Sequence, residues 1–214
     1  GVPVAALMPR VYSDRETLAL EEDLAALRRI GVDQVLAGTL GAVRRAAQLG
    51  FSVRGDYGLG VYNSQTMKEL KRLGLISATA SFELKLAQIR DLSKAIPTEL
   101  IAYGRLPLMI TENCIIHNHS GQHTCSNVNL LTDRKGEWFP VVQAYGCRNE
   151  ILNSKKLFLA DRTQDYGRLG LWAARLMFTT ENAMECAQVL ERYLGQGSYQ
   201  PNEYTRGLYY RDVE

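Results

Sequence analysis

Short apolar runs alternate with longer amphipathic stretches over the first hundred residues, and this alternation constrains the fold more than any other feature of the chain. The stretches between the apolar runs predict four helices, at 13–30, 41–49, 64–73 and 84–96. The apolar runs themselves predict strands at 4–8, 34–37, 51–54, 76–81 and 100–103, and the first of these is expected to be buried. Strands that alternate with helices of this length indicate βαβ units and a parallel sheet.

The helices carry terminal signals that support these assignments. In the first helix Asp14 and Glu16 come early and Arg28 and Arg29 come late, which suits the helix dipole. In the third helix Ser64 is expected to be the N-terminal cap.

The predicted fold class is α/β, and the rhythm of the elements is that of a TIM-like (β/α) barrel. A doubly wound sheet is the alternative, but no glycine-rich phosphate-binding turn follows the first strand. With a further strand at 171–178, six strands are expected where a complete barrel has eight. We therefore expect an incomplete barrel, or one whose first units lie upstream of Gly1.

The alternation breaks at Pro107, where the composition changes. Residues 107–154 are rich in Asn, His, Gly, Thr, Cys and Arg and predict an irregular insertion on the C-terminal face of the barrel, with a hairpin around the turn-like segment 133–136. The pattern then resumes with a short helix within 156–169 and a helix at 180–194. The expected organisation is barrel units at 1–106, the insertion at 107–154, the final barrel units at 155–195 and a tail at 196–214.

Charge and hydropathy constrain the function only weakly. The formal net charge of +2 is too small to indicate nucleic acid binding, and it does not exclude it. No apolar run approaches the roughly 20 residues of a membrane-spanning helix, and no secretion leader is present at the start. The expectation is a soluble, cytoplasmic protein with no membrane partner.

The chain has only four cysteines, Cys114, Cys125, Cys147 and Cys186, with the spacing C-x10-C-x21-C-x38-C. Their number alone is compatible with core thiols or two disulfides. In a (β/α) barrel, however, the loops that follow the strands share one face, so all four sulfurs could reach one point. Thiolates suit an iron–sulfur cluster or zinc, and the lack of paired C-x2-C spacing weakens the zinc interpretation. The four cysteines are therefore the expected metal ligands.

All three histidines of the chain, His117, His119 and His123, lie between the first two cysteines. A zinc site that combines Cys and His ligands is chemically possible. The alternative is a solvated polar loop that happens to contain histidine.

Four charged residues are candidates for catalysis or substrate binding. Asp56 and Glu83 follow predicted strands on the expected active face and are candidate acid–base groups, although each could instead form a salt bridge or a helix cap. Arg105 and Arg148 lie near the predicted cysteine ligands in sequence. An arginine fork suits a carboxylate or a phosphate, although each side chain could instead bind loop carbonyls.

Several longer segments together resemble a known family. They are Gly55-Asp56-Tyr57, Tyr62-Asn63-Ser64, Ser81-Phe82-Glu83-Leu84, Tyr103-Gly104-Arg105-Leu106-Pro107-Leu108-Met109, Thr111-Glu112-Asn113-Cys114, Asp133-Arg134-Lys135-Gly136, Phe139-Pro140, Cys147-Arg148, Leu152-Asn153-Ser154 and Phe178-Thr179-Thr180-Glu181. These segments are similar to peptidase family U32, the collagenase-like group, and the resemblance extends over about residues 3–209.

The resemblance implies a barrel whose four cysteines hold a [4Fe-4S] cluster, and all four are present here. It also implies an activity, because several members are oxygen-independent hydroxylases that act on tRNA, ribosomal RNA or a quinone precursor, whereas others carry the peptidase label. RNA and a small oxygen-donor carboxylate are therefore the expected partners.

Two departures affect this expectation. Short members usually have His-Gly where this chain has Tyr103-Gly104, and they have a shorter gap between the first two cysteines. The segment from Gly104 to Met109 resembles the carboxy-terminal barrel of long, two-barrel members, so upstream domains of the same parent protein are expected partners as well.

Three kinds of function remain open at this point. A cluster-dependent hydroxylase or RNA-modifying activity is favoured. A peptidase is the alternative, but the chain has neither a His-Glu-x-x-His helix nor a Gly-x-Ser-x-Gly elbow. The third interpretation is a non-catalytic structural or docking barrel, in which the cluster is a staple. Aromatic and basic residues of the tail could then contact RNA, although such a tail more often simply packs on the barrel; these residues are Tyr199, Tyr204, Tyr209, Tyr210, Arg206 and Arg211.

Overall fold

The structure is a computed structural model that describes residues 2–122, 124 and 128–211. The chain forms two compact units. Unit 1 consists of Gly1–Leu100, Gln164–Ala174 and Leu208–Glu214, and unit 2 consists of Ile101–Thr163 and Arg175–Gly207.

The secondary structure of the described residues comprises strands, α-helices and short 3-10 turns. The strands are β1 (Ala5–Leu7), β2 (Gln34–Ala37), β3 (Ser52–Gly55), β4 (Ser77–Thr79), β5 (Thr98–Gly104), β6 (Pro107–Thr111), β7 (Asn129–Thr132), β8 (Trp138–Gln143), β9 (Asn149–Leu152), β10 (Lys156–Phe158), β11 (Ala173–Met177) and β12 (Tyr204–Thr205). The helices are α1 (Thr17–Arg29), α2 (Leu40–Gln48), α3 (Ser64–Arg72), α4 (Leu86–Asp91), α5 (Ile115–Ser120), α6 (Thr163–Gly167) and α7 (Ala183–Tyr193). The 3-10 turns are Asp14–Glu16, Tyr57–Leu59, Tyr145–Cys147 and Ala160–Arg162.

The sheet of unit 1 is parallel, as predicted. Strands β1, β2, β3 and β4 pair in chain order, and β4 pairs with the first residues of β5. Val35 lies opposite Val53 in the register, and both side chains are buried. Helix α2 packs on β2 and β3 and buries Val43 and Ala46, which forms the βαβ arrangement that the apolar runs predict.

The cap of α3 differs from the prediction by one residue. The side-chain oxygen of Asn63 accepts hydrogen bonds from the backbone N–H groups of Gln65 (3.0 Å) and Thr66 (2.9 Å). The Ser64 hydroxyl instead accepts a hydrogen bond from the backbone N–H of Ser93 at 2.9 Å. A long-range contact therefore takes up the hydroxyl that the local pattern assigns to the cap.

Two other local predictions for unit 1 are wrong. The first strand forms, but it is not buried, because the Leu7 side chain is 67% exposed. The helix predicted at 84–96 ends at Asp91, and the following Leu92 is extended (φ −65°, ψ 125°). The ammonium group of Lys94 satisfies carbonyls near this end, among them that of Ile89 at 2.8 Å, so the helix can stop early without leaving them unpaired.

The segment 107–154 is more regular than predicted. Its strands form an antiparallel sheet of unit 2 in the order β6-β9-β8-β7. The predicted hairpin is confirmed, since β7 pairs with β8 across the turn at 133–136, with Leu131 opposite Phe139. The outer strand β6 pairs with β9, and the paired residues are far apart in the sequence, as with Thr111 and Asn149. Because the two strands are so distant along the chain, no local sequence pattern indicates this pairing.

A second group of strands forms the core of unit 2. The last residues of β5 pair antiparallel with β10, and β10 pairs in parallel with β12. The fully buried side chains of Tyr103, Phe158 and Val189 form an apolar cluster, against which Tyr193 and Tyr204 pack. Strands β10 and β12 were not predicted. The predicted strand at 171–178 is confirmed as β11, which pairs with β5, and the two predicted helices of this region are confirmed as α6 and α7.

These elements establish a mixed α/β fold with a mostly parallel sheet and helices. Closure into a TIM-like barrel, the division at 106, 154 and 195, and the tail at 196–214 stay predictions. No helix in the described ranges combines the length and the apolar character needed to cross a bilayer.

Candidate functional site

Asp56 and Glu83 both follow parallel strands of unit 1. Asp56 comes directly after β3, is buried, and accepts a hydrogen bond from the backbone N–H of Tyr57 at 2.8 Å. Glu83 follows β4 at an exposed position and accepts a hydrogen bond from the Tyr62 hydroxyl. That hydrogen bond to Glu83 raises the pKa of Tyr62 above its ordinary value.

Aromatic rings connect the surroundings of these two carboxylates. The Tyr57 and Phe82 rings have centroids 5.4 Å apart, and the guanidinium of Arg10 lies 4.9 Å above the Tyr57 ring. Arg10, Asp56 and Phe82 follow β1, β3 and β4, so the carboxyl ends of these strands gather charged and aromatic side chains at one sheet edge. The acid–base roles of Asp56 and Glu83 stay predictions.

Cys114 lies at the N-terminus of α5 in unit 2. Its Sγ accepts a hydrogen bond from the backbone N–H of His117 at 3.4 Å. The side-chain oxygen of Asn149 accepts the N–H of Ile115 at 2.8 Å, which ties the start of α5 to the first residue of β9. An N–H group directed at sulfur favours the thiolate, which is the form that binds metals.

The register of β6 and β9 brings Cys114 and Cys147 to the same end of that strand pair. Thr111, the last residue of β6, pairs with Asn149, the first residue of β9. Cys114 follows Thr111 by three residues, and Cys147 precedes Asn149 by two. Both cysteines are half-buried.

Cys147 has an unusual backbone conformation, with φ at +62°. It is the one non-glycine residue with positive φ in the described part of the chain, and such a conformation costs a side-chain-bearing residue about 1–2 kcal/mol. The next residue, Arg148, is buried and forms a two-pronged ion pair with Glu112 at 2.8 and 2.7 Å. Because Glu112 lies two residues before Cys114, this ion pair holds the two cysteine-bearing segments together. The predicted substrate-binding role of Arg148 stays a prediction.

The remaining predicted ligands are less well defined. Cys186 is the fourth residue of α7, in the same unit, and is half-buried. On α5, His117 is half-buried and His119 is exposed, whereas Cys125 and His123 lie outside the described residues. Within the ranges that the structure describes, no three His, Cys, Asp or Glu side chains gather as a metal-binding group. The four-cysteine site therefore stays a prediction.

Arg105 lies just after β5, and its guanidinium is only partly satisfied. Its Nη1 donates to the backbone carbonyls of Asn153 (2.9 Å) and Ser154. Its Nε is buried without a hydrogen-bond partner, and no carboxylate in the described ranges forms an ion pair with it. Hydrogen bonds to loop carbonyls were the alternative to ligand binding by Arg105, and such bonds are present. They engage only the Nη1 atom and leave Nε and Nη2 without partners in the described ranges.

A partly buried network of five polar side chains lies in unit 2. The Lys156 ammonium is 3.1 Å from a carboxylate oxygen of Glu181 and 2.6 Å from one of Glu185. The Tyr199 hydroxyl donates to the same oxygen of Glu185 at 2.5 Å, and the Tyr103 hydroxyl donates to Glu181 at 3.2 Å. The backbone N–H groups of Thr179 and Thr180, between β11 and α7, donate to the other oxygen of Glu181, so both oxygens of its buried carboxylate are hydrogen-bonded.

The network fixes the charge state of its members. Burial by itself lowers the pKa of Lys156, but the hydrogen bonds to Glu185 and Glu181 raise it above its ordinary value. Burial by itself raises the pKa of Glu181, but the backbone N–H groups and Lys156 bring it below its ordinary value. Burial raises the pKa of both Tyr103 and Tyr199. At neutral pH the network therefore contains a lysine cation, a Glu181 carboxylate and two neutral phenols.

The sequence interpretation did not identify this network. Lys156 directly precedes the apolar pair Leu157 and Phe158, and a lysine beside a short apolar run is a signal for a buried, paired charge. Glu181 stands in the segment Phe178-Thr179-Thr180-Glu181, which contributes to the family resemblance but does not indicate a partner.

The fold and the site together describe a mixed α/β protein with cysteine-bearing loops beside an antiparallel sheet. The sequence profile of Peptidase family U32 matches residues 2–128, which is more than half of the 214-residue chain. The chain therefore belongs to Peptidase family U32. No curated protein sequence and no solved structure matches the chain.

Proposed function

We propose that this chain is an iron–sulfur module in which Cys114, Cys125, Cys147 and Cys186 hold a [4Fe-4S] cluster. The observation that carries the proposal is the β6–β9 register, which brings Cys114 and Cys147 to one end of a strand pair. Cys186 belongs to the same compact unit. Four thiolates with no spare cysteine form the donor set that such clusters use most often.

The surroundings of the two neighbouring cysteines fit a ligand role. The Cys114 sulfur receives a backbone N–H hydrogen bond, which stabilises negative charge on sulfur. The ion pair between Arg148 and Glu112 braces the loop in which Cys147 adopts its left-handed conformation. When bound, an iron–sulfur cluster supplies electrons at a potential that burial and hydrogen bonds to sulfur adjust.

The activity proposed for the module is oxygen-independent hydroxylation or RNA modification, with RNA and a small oxygen-donor carboxylate as partners. The support for this class of activity is the resemblance of the sequence to family members that are oxygen-independent hydroxylases. Within unit 2, Arg105 is the side chain suited to bind a carboxylate, because one edge of its guanidinium is unused. Within unit 1, Asp56 and Glu83 are the candidate proton-transfer groups, and the parallel strands that carry them are proposed to belong to a TIM-like barrel.

The cluster is tested by anaerobic purification followed by iron, sulfide and zinc analysis. We expect about four iron and four sulfide per chain, and a loss of most of the iron on Cys→Ser change at any of the four positions. His119→Ala, which changes an exposed side chain of α5 near Cys114, is the matched control and should retain its iron. Zinc without sulfide, or iron that survives Cys186→Ser, would refute the four-thiolate cluster.

The peptidase alternative, which the family name implies, has a separate test. The chain should not cleave casein or collagen, because the Cys–His pair that the sequence offers, Cys114 with His117 or His119, uses a cysteine that is better explained as a cluster ligand. Cleavage that is lost on Cys114→Ser but kept on Cys186→Ser would identify Cys114 as a nucleophile and would overturn this expectation.

A further inference from the structure

A pocket of about 380 Å³ lies in unit 2 beside the partly buried network. Its size is in the range of sites that hold small molecules. Its lining carries charged side chains of both signs, which are Arg105, Lys156, Glu185 and Glu203. A ligand with both a positive and a negative group can pair with both kinds of side chain, whereas a simple anion or cation can pair with only one kind.

One side of the pocket offers an unused cationic edge. The Nη1 atom of Arg105 is held by two backbone carbonyls, so the guanidinium is fixed in position. Its Nε atom is buried without a hydrogen-bond partner, so a ligand cannot reach it. The Nη2 group is neither buried nor paired in the described ranges, and it can donate a charge-assisted hydrogen bond to a carboxylate.

Another side of the pocket offers an unused carboxylate oxygen. Both hydrogen bonds that Glu185 accepts, from Lys156 and from Tyr199, go to its Oε1 atom. Within the described ranges its Oε2 atom has no partner, and 27% of the side chain is exposed. The oxygen is therefore fixed by its neighbours and open to a donor such as an ammonium group.

We propose that this pocket binds a small zwitterion that carries a carboxylate and an ammonium group, of the α-amino acid type. The carboxylate contacts the Nη2 group of Arg105, and the ammonium group contacts the Oε2 atom of Glu185. The inference rests on unit 2 alone and does not depend on a metal at the cysteines, so the cluster and this site can fail separately.

The test is calorimetric titration of the full chain, purified anaerobically, with three matched probes. L-glutamine carries both charges, N-acetyl-L-glutamine lacks the ammonium group, and L-glutamine amide lacks the carboxylate. We expect L-glutamine to bind about tenfold or more tightly than either analogue, because each analogue loses a charge-assisted hydrogen bond. Equal binding of L-glutamine and N-acetyl-L-glutamine, or no binding of L-glutamine at millimolar concentration, overturns the proposal.

Variants of the chain give an independent readout. Arg105→Lys keeps the positive charge but removes the flat edge, and Glu185→Gln keeps an acceptor for Tyr199 but removes the charge. Each should weaken L-glutamine binding by about tenfold or more. The matched controls are Lys135→Gln in the β7–β8 turn and Glu191→Gln on α7, both of which change exposed residues of unit 2 and should leave binding unchanged. Unchanged binding in a pocket variant, when its thermal melting shows that it is folded, overturns the assignment of that residue.

Discussion

Gly104 ends β5 at a point where a side chain has no room. Its φ is +120°, and a Cβ atom built on it would lie 2.0 Å from the carbonyl oxygen and 2.9 Å from the carbonyl carbon of Met177. Both atoms belong to the backbone of β11, so a simple change of rotamer cannot relieve the contact. Gly104→Ala should therefore force β5 and β11 apart by more than about 1 Å.

The expected loss of stability follows from two contributions. A sparsely populated backbone conformation costs a non-glycine residue about 1–3 kcal/mol, and overpacking against fixed atoms costs about 1–3 kcal/mol or more. Together they predict that Gly104→Ala lowers the free energy of unfolding by about 4 kcal/mol. Gly136→Ala is the matched control, because Gly136 also has positive φ (+80°) but its Cβ would meet nothing within 4 Å. Its cost should be about 1–2 kcal/mol.

Urea unfolding followed by far-ultraviolet circular dichroism compares the two variants at equal protein concentration. A Gly104→Ala variant that unfolds within about 1 kcal/mol of Gly136→Ala would refute the predicted clash. It would mean that the two strands can separate at the end of β5 without loss of packing elsewhere in unit 2.

Two further predictions concern the polar groups of unit 2. The Tyr193 hydroxyl donates to the backbone carbonyl of Ala102 in β5 (2.6 Å) and accepts the backbone N–H of Leu159 just after β10 (2.9 Å). Tyr193→Phe should therefore lower the free energy of unfolding in urea by about 1–3 kcal/mol, whereas the control Tyr210→Phe, at an exposed hydroxyl, should lower it by less than about 0.5 kcal/mol. Equal losses in the two variants would contradict this prediction. Glu181 has a folded-state pKa below its ordinary 4.5, so the stability that it contributes is present above that pH and is lost as the pH falls through the lowered value. Glu181→Gln should therefore be less stable than the wild-type chain at pH 7, and the difference should narrow as the pH falls below 4.5, since the variant lacks this titration. A difference that stays constant from pH 7 to pH 3 would contradict the assignment.

The parallel half of the fold could be predicted from the sequence because its signals are local. Strands β2 and β5 each contain a short apolar run, and helices α2 and α3 carry their own caps and periodicity. The errors arose where a distant residue changed the outcome. Ser64 does not cap α3 because its hydroxyl accepts the backbone N–H of Ser93. Strand β10 was not predicted because it begins with Lys156, whose partners Glu181 and Glu185 lie just before and on α7.

The candidate site shows the same division. Arg105 is a candidate from sequence because it stands in a distinctive segment near a cysteine. It lines a pocket, and its role in substrate binding stays a prediction. The pairing of Thr111 with Asn149, which brings Cys114 and Cys147 to one end of a strand pair, could not be predicted, because it joins strands 38 residues apart. Contacts over such separations depend on the completed sheet rather than on any local pattern.

The left-handed backbone at Cys147 has a consequence for protein engineering. Glycine would adopt this conformation without the roughly 1–2 kcal/mol that a side chain costs there. A directed-evolution campaign that rewards heat resistance alone should therefore drift towards glycine at this position, whereas one that rewards iron retention should keep cysteine. The two selections would then favour different residues at position 147, glycine for stability and cysteine for iron retention.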